Sequence, residues 1–275
     1  MSTLAYEYHA TILKAKDVSL NLGGNQILRD VDLEVKDIHR PGTVTGQVVA
    51  LLGPSGIGKT RFFRILAGLD APDTGSVLIG EKAVPVRRGM VGVVAQNYPL
   101  FQHRTVLDNL LVAGNQAGLP KNSARDKAQG FLKRFRLEDR GKLYPSQLSG
   151  GQRQRVAIAQ QFMCSEHFLL MDEPFSGLDP VAVDHVSALI QEVAGLHTLN
   201  TIILVTHDIR AALAVADTLV LMGRDRDAAG NIIPGARIQA TYNLLERGLA
   251  YQKEITSRPD FLELLAEVVA RFPHL

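Results

Sequence analysis

Eight consecutive residues carry the clearest chemistry in the chain. Gly53-Pro54-Ser55-Gly56-Ile57-Gly58-Lys59-Thr60 fits the pattern G-x-x-x-x-G-K-[ST]. It follows an apolar run, Val48–Leu52, that reads as a buried strand, and it opens a helical pattern over Thr60–Ala67. Glycines let backbone N–H groups converge on phosphate oxygens, and the start of a helix adds a favourable dipole. In such a cradle Lys59 reaches the β- and γ-phosphates and the Thr60 hydroxyl ligates Mg²⁺. Average residue usage yields this string by chance in about one chain in a hundred of this length. With strand and helix in place, the reading is a nucleotide site rather than a glycine-rich turn.

A second strand ends in acid: Phe168-Leu169-Leu170-Met171-Asp172-Glu173. A strand end needs no carboxylate, and two adjacent like charges oppose each other. Mg²⁺ relieves that conflict, because hard cations prefer oxygen ligands and Asp172 can hold one through its water shell. Glu173 points to the other side and is left to orient or deprotonate an attacking water. A solvated Asp-Glu turn before Pro174 is the alternative if the motif is taken by itself.

Leu148-Ser149-Gly150-Gly151-Gln152 is another phosphate-friendly helix start, a Ser cap followed by two glycines. Here the chain resembles the ATP-binding subunits of ABC transporters, whose signature is LSGGQ. The resemblance covers roughly residues 14–223 and its motifs stand in the family's order. It implies an α/β fold with a P-loop NTPase core, an antiparallel β subdomain and an inserted α-helical subdomain, with ATP and Mg²⁺ as cofactors. It implies that Gln96, at the end of the strand Val91–Ala95, senses metal and water. His207, after the strand Thr201–Thr206, would contact the γ-phosphate and hold the attacking water. Asp179 of Ser176-Gly177-Leu178-Asp179 would couple two sites. By the same resemblance two subunits pack head to tail. Ser149, Gly150, Gly151 and Gln152 of one then complete the γ-phosphate site of the other, an isologous arrangement with two equivalent sites.

Three places depart from the family pattern. Leu22 occupies the position where an aromatic side chain usually stacks on adenine, so base stacking worth about 1–3 kcal/mol is weakened. Tyr6 or Tyr8 could compensate. Arg61 stands where a small hydroxyl residue is common and puts a cation in the first helical turn, against the dipole. The stretch Asp37–Gly46 is long for the turn before the P-loop strand and reads as a benign surface loop.

The elements that must position these residues alternate. Short apolar strands (Val48–Leu52, Val91–Ala95, Phe168–Met171, Thr201–Val205, Thr218–Met222) are interleaved with helical patterns at Thr60–Ala67, Pro180–Ala194 and Ile209–Ala216. Asp179 is a plausible N-cap with Pro180 at the first helical position. Residues 1–35 are β-rich, with Gly23-Gly24 as a turn. From about Leu107 to Phe162 no β-rich run occurs, which marks the helical insert. The ATPase domain is read as 1–223, and 224–275 as a hairpin and helical extension packed on it. That extension contains a turn-rich stretch, Arg224–Asn231, and an amphipathic helix, Phe261–Phe272.

Composition narrows the class. The chain has 275 residues, 46% hydrophobic and 21% charged, with Lys+Arg 30 against Asp+Glu 28, so the net charge of +2 offers no basic nucleic-acid groove. One cysteine, Cys164, excludes an intramolecular disulfide and fits a reducing cytosol. The N-terminus lacks a signal-like apolar run, and no apolar run approaches the roughly 20 residues that span a bilayer. A transporter reading therefore needs separate membrane permease subunits docking near Gln96–Leu110 and places the chain peripherally on the cytoplasmic face of the inner membrane. Tyr98, Leu100 and Phe101 on that segment suit an interface anchor; the alternative is that they pack inside the helical insert. The free-standing cassette and the QRQR after the signature favour import over export, with a solute-binding protein in the complex. The segment Asn243–Leu249 faintly resembles the nitrate/sulfonate/taurine group. A non-transport ABC ATPase, such as one for iron–sulfur assembly, is the alternative.

Overall fold

A Gly23-Gly24 turn, both residues at positive φ (55° and 82°), folds the first β-rich stretch into a hairpin of β1 (Glu7–Leu22) and β2 (Asn25–His39). Such φ values cost glycine nothing. The computed structural model describes residues 6–40, 46–95, 98–165, 167–197, 199–250 and 255–275. Next come β3 (Gln47–Leu52), buried at every position as the apolar run after Gln47 requires, and α1 (Lys59–Leu66). After these, β4 (Thr74–Ile79) pairs antiparallel with β1, and β5 (Val84–Pro85) with β4, before the chain returns to the core through β6 (Gly92–Val94).

The insert follows as α2 (Val106–Gln116), α3 (Lys121–Arg134) and α4 (Gly150–Cys164). They pack on one another through Leu110, Ala128, Leu132, Val156 and Phe162. The remaining elements are β7 (Phe168–Asp172), α5 (Pro180–Ala194), β8 (Thr201–Thr206), α6 (Ile209–Val215), β9 (Thr218–Arg226), β10 (Ile232–Asn243) and α7 (Pro259–Arg271).

Among the described residues ten strands form one sheet of order β5-β4-β1-β2-β10-β9-β3-β8-β7-β6. From β9 to β6 the neighbours are parallel; on the other side β5, β4, β1 and β2 are antiparallel. In a sheet of this kind ligands gather outside the carboxyl ends of the parallel strands. β3, β7 and β8 are consecutive in order or adjacent there, so the loops after residues 52, 172 and 206 emerge together.

β10 joins the halves. It pairs antiparallel with β9 along most of its length and touches β2 through the single parallel bridge Ala236↔Leu28. Pro234 and Gly235 fall where its register with β9 slips, which is where a strand tolerates them. The turn-rich stretch expected from residue 224 starts later, because β9 continues through Arg226 and the turn occupies Asp227–Asn231.

The segment read as a benign surface loop is corrected. Residues 37–39 complete β2, and Arg40 is only 1% exposed. Its Nη2 lies 2.5 Å from Asp217 Oδ1, and its Nη1 donates to the Gly46 carbonyl at 3.0 Å. Asp217 Oδ2 in turn accepts from the Val48 backbone N–H at 2.8 Å. A long cation entering the interior must bring its counter-charge with it, and here that pair ties the end of β2 to the starts of β3 and β9. Residues 41–45 lie outside the described residues.

Candidate functional site

Between β3 and α1 the chain turns over Gly56 and Gly58, both at positive φ (76° and 112°). A side chain on Gly53 would come within 2.5 Å of the Met222 carbonyl, so the loop lies close against β9. Ile57 is buried and holds the loop down, while Ser55, Gly56 and Thr60 are exposed. Lys59 is turned inward: its Nζ donates to the carbonyls of Gly53 (2.8 Å) and Pro54 (3.0 Å). Burial pushes its pKa down, opposed by the carboxylates of Glu173 and Asp172. The cradle thus carries its own cation, sited to exchange loop carbonyls for phosphate.

The two carboxylates at the end of β7 are held differently. Asp172 is half-buried, and its Oδ1 has no hydrogen-bond partner. Burial pushes its pKa up, as does the neighbouring Glu173, with Lys59 opposing. An orphaned buried carboxylate oxygen is costly unless a cation or water satisfies it. Together with the exposed Thr60 hydroxyl, that donor set fits Mg²⁺ held largely by water and phosphate.

Glu173 has φ 48°, a left-handed backbone rare for a side-chain-bearing residue, and its N–H donates to the Val205 carbonyl at 2.8 Å. That twist sends the side chain across to β8. There Oε2 accepts from the Thr206 hydroxyl at 3.1 Å and lies 3.0 Å from His207 Nδ1. Thr206 was not singled out in the sequence, although its place directly before His207 was the available signal.

Ser149 caps α4. Its hydroxyl accepts from the Gln152 N–H at 3.3 Å while the Gln152 side chain accepts from the Ser149 N–H at 3.0 Å, a reciprocal capping box. Ser149, Gly150 and Gly151 are exposed, and nothing lies within 4 Å of a Cβ built on either glycine. Among the described residues no hydrogen bond joins this helix start to residues 53–60; it opens on its own surface. Asp179 caps α5, accepting from the Ala182 N–H at 3.0 Å, and stays exposed.

Leu22 ends β1 and is 39% exposed, beside the hairpin turn. Across that hairpin Ile27 would lie 3.1 Å from a Cβ on Gly58, so the turn borders the phosphate loop. Tyr8 lies at the opposite end of β1 with its hydroxyl on Asn243, and Tyr6 is in edge contact with it; neither can stand in for an aromatic at position 22. Arg61 reaches Asp70 (3.7 Å), which Arg64 also clamps (2.7 Å), so its charge has a partner in the segment that follows α1. Gln96 lies outside the described residues.

The expected interface anchors divide. Leu100 is buried, Tyr98 is partly buried with its hydroxyl engaged, and only Phe101 remains exposed, at 41%. Leu100 and Tyr98 therefore take the alternative, packing inward, because α2 and α4 leave an apolar seam that they fill.

Residues 42–176 match the family model for the ABC transporter. The sulfate/thiosulfate import ATP-binding protein CysA of Synechocystis sp. is 38% identical over 213 residues, which is 76% of this chain and 58% of that protein. The Fe(3+) ions import ATP-binding protein FbpC of Brucella abortus is 40% identical over 210 residues, 75% of this chain and 57% of that one. The chain thus spans less than two thirds of the length of these curated relatives. Among solved structures, cbiO1 from Clostridium perfringens, part of the ABC transporter complex cbiONQ, superposes with a TM-score of 0.72 at 25% identity, covering 97% of each chain.

Proposed function

The chain belongs to the ABC transporter family, and from that premise we propose that it is the ATP-hydrolysing subunit of an importer, working through separate membrane subunits. One observation carries the reading: Lys59, the orphaned Asp172 and the Glu173–His207 pair stand together where three strand ends emerge. Lys59 exchanges the Gly53 and Pro54 carbonyls for phosphate oxygens. Glu173, aligned by Thr206 and His207, accepts the proton of the attacking water. Thr60 and Asp172 would hold Mg²⁺, with Gln96 as a further ligand by the family resemblance, and the ion would neutralise phosphate charge.

The exposed start of α4 supports a head-to-tail partner, a second copy or a homologous cassette. Ser149, Gly150, Gly151 and Gln152 would face that partner's nucleotide, and Asp179 would sit at the seam. Residues 1–223 form the ATPase domain in this reading, with 224–275 packed against it. No described helix is long and apolar enough to cross a membrane, so permease subunits would dock near Gln96–Leu110, with Phe101 as the exposed apolar contact. In this reading the subunit sits peripherally on the cytoplasmic face of the membrane, with a solute-binding protein in the complex and no nucleic acid. Relatives named for sulfate/thiosulfate and Fe(3+) import support import as the direction.

The test is Glu173→Gln. It should bind MgATP, lose hydrolysis by about 10²–10⁴-fold, and hold its assembly closed during a mild-detergent pull-down. A multi-span membrane protein in the eluate supports transport; only soluble partners would overturn it in favour of another ABC machine.

A further inference from the structure

Tyr98 is anchored out of proportion to a packing residue. It holds φ 44°, a left-handed backbone that an aromatic residue rarely adopts, and its N–H closes onto the Ala95 carbonyl at 3.0 Å. Its hydroxyl bridges two elements. It donates to the Pro174 carbonyl at 3.3 Å, one residue past Glu173, and accepts from the Gln154 side-chain amide at 2.9 Å. Gln154 lies on α4 one turn beyond the exposed Ser149–Gly151 start, and is itself only 4% exposed. Tyr98 and Gln154 line a cleft of about 370 Å³ between α4 and α5, which also reaches Gly150, Gly151 and Leu178.

We propose that Tyr98 is a positioning residue for hydrolysis, its phenol fixing the turn that carries Glu173 to the helix that begins at Ser149. The role rests on the ATPase reading above. Glu173 reaches His207 only because its backbone is twisted, so the carbonyl of the next residue is a lever on the carboxylate. A tilt of α4, imposed at its open end by whatever binds there, moves the Gln154 amide first. The Tyr98 hydroxyl transmits that motion to Pro174, and the hydrogen bond from Thr206 resists it. Occupancy of the signature end and alignment of the base are thereby joined through two hydrogen bonds within one chain.

Steady-state MgATP hydrolysis by the full chain tests this with Tyr98→Phe, Gln154→Met and the double variant, alongside thermal melting. Phe keeps the ring and the packing. The role predicts that kcat falls about five- to tenfold in each single variant, as expected for a lost hydrogen bond or two, with KM for ATP within about twofold. The double variant should be no worse than either single, because both cut the same link. A lower melting temperature with unchanged kcat, or losses that multiply in the double variant, would overturn the role. Should Gln154→Met not fold, the kcat and KM of Tyr98→Phe decide alone. A wild-type protein without MgATP hydrolysis would instead overturn the ATPase reading and take this role with it.

Discussion

One oxygen of Glu173 joins two neighbouring strands: Oε2 lies 3.0 Å from His207 Nδ1 and 3.1 Å from the Thr206 hydroxyl, while β7 and β8 pair directly at Asp172↔Val205. The carboxylate is therefore aligned by contacts within the chain itself. His207→Ala is expected to lower kcat for ATP about 100-fold. Thr206→Val, which keeps the shape and removes one donor, is expected to cost only about fivefold. Single-turnover hydrolysis with nucleotide binding measured in parallel separates the two; equal losses would mean that the histidine does nothing beyond holding the glutamate.

The hairpin turn beside the phosphate loop offers Leu22 where a ring would cover the base. Leu22→Tyr should tighten ATP binding about tenfold, in line with the worth of one stacked base. A nucleotide titration that shows no tightening would move the base away from this hairpin.

Asp225 on β9 is held below the usual carboxylate range, first by the Gln239 amide and then by Arg29 of β2. A carboxyl whose pKa is depressed by folding adds stability above its ordinary pKa, near 3.8, and loses it as the pH falls through the lower folded value. Asp225→Asn should therefore be less stable than the wild type at pH 7, by about 1 kcal/mol or less because the group is well solvated. The two should converge near pH 2 in urea unfolding. A gap that persists in acid would mean that packing, not charge, is lost.

The Arg40–Asp217 pair is 1% exposed on both sides. Removing one charge, as in Asp217→Asn, takes the counter-charge from a buried guanidinium and should cost about 3–5 kcal/mol. Arg40→Met combined with Asp217→Leu should recover most of that loss, since neither charge then needs the other. Chemical unfolding of the three variants checks the ordering.

What could be read from the sequence follows the range of the interactions involved. Gly56 and Gly58 at positive φ, the Ser149 capping box and the Asp179 cap are local, set by residues within four positions, and were legible. So were the apolar runs Val48–Leu52 of β3 and Ile202–Val205 of β8, buried at every position. The embrace of Glu173 by Thr206 and His207 is not local, because it depends on which strands become neighbours. Arg40 differs from its reading for the same reason: a cation near Pro41 and Gly42 has the composition of a loop, and its burial is supported by Asp217, which comes from far along the chain. Tyr98 and Leu100 face an apolar seam built by α4, more than 50 residues further on, and no periodicity within their own segment reveals it.

The position of β10 has a kinetic side. Among the described residues, strand pairing between the two halves of the sheet runs through residues 232–243 alone, so the first hairpin completes its pairing only after almost the entire chain has been made. Pairings of such long sequence separation slow folding, because a large loop must close before any contact rewards it. On a ribosome, the β1–β2 hairpin would emerge early with an open edge and stay unsealed until these residues appear. That interval is when a chaperone, or a mispaired second molecule, has its opening.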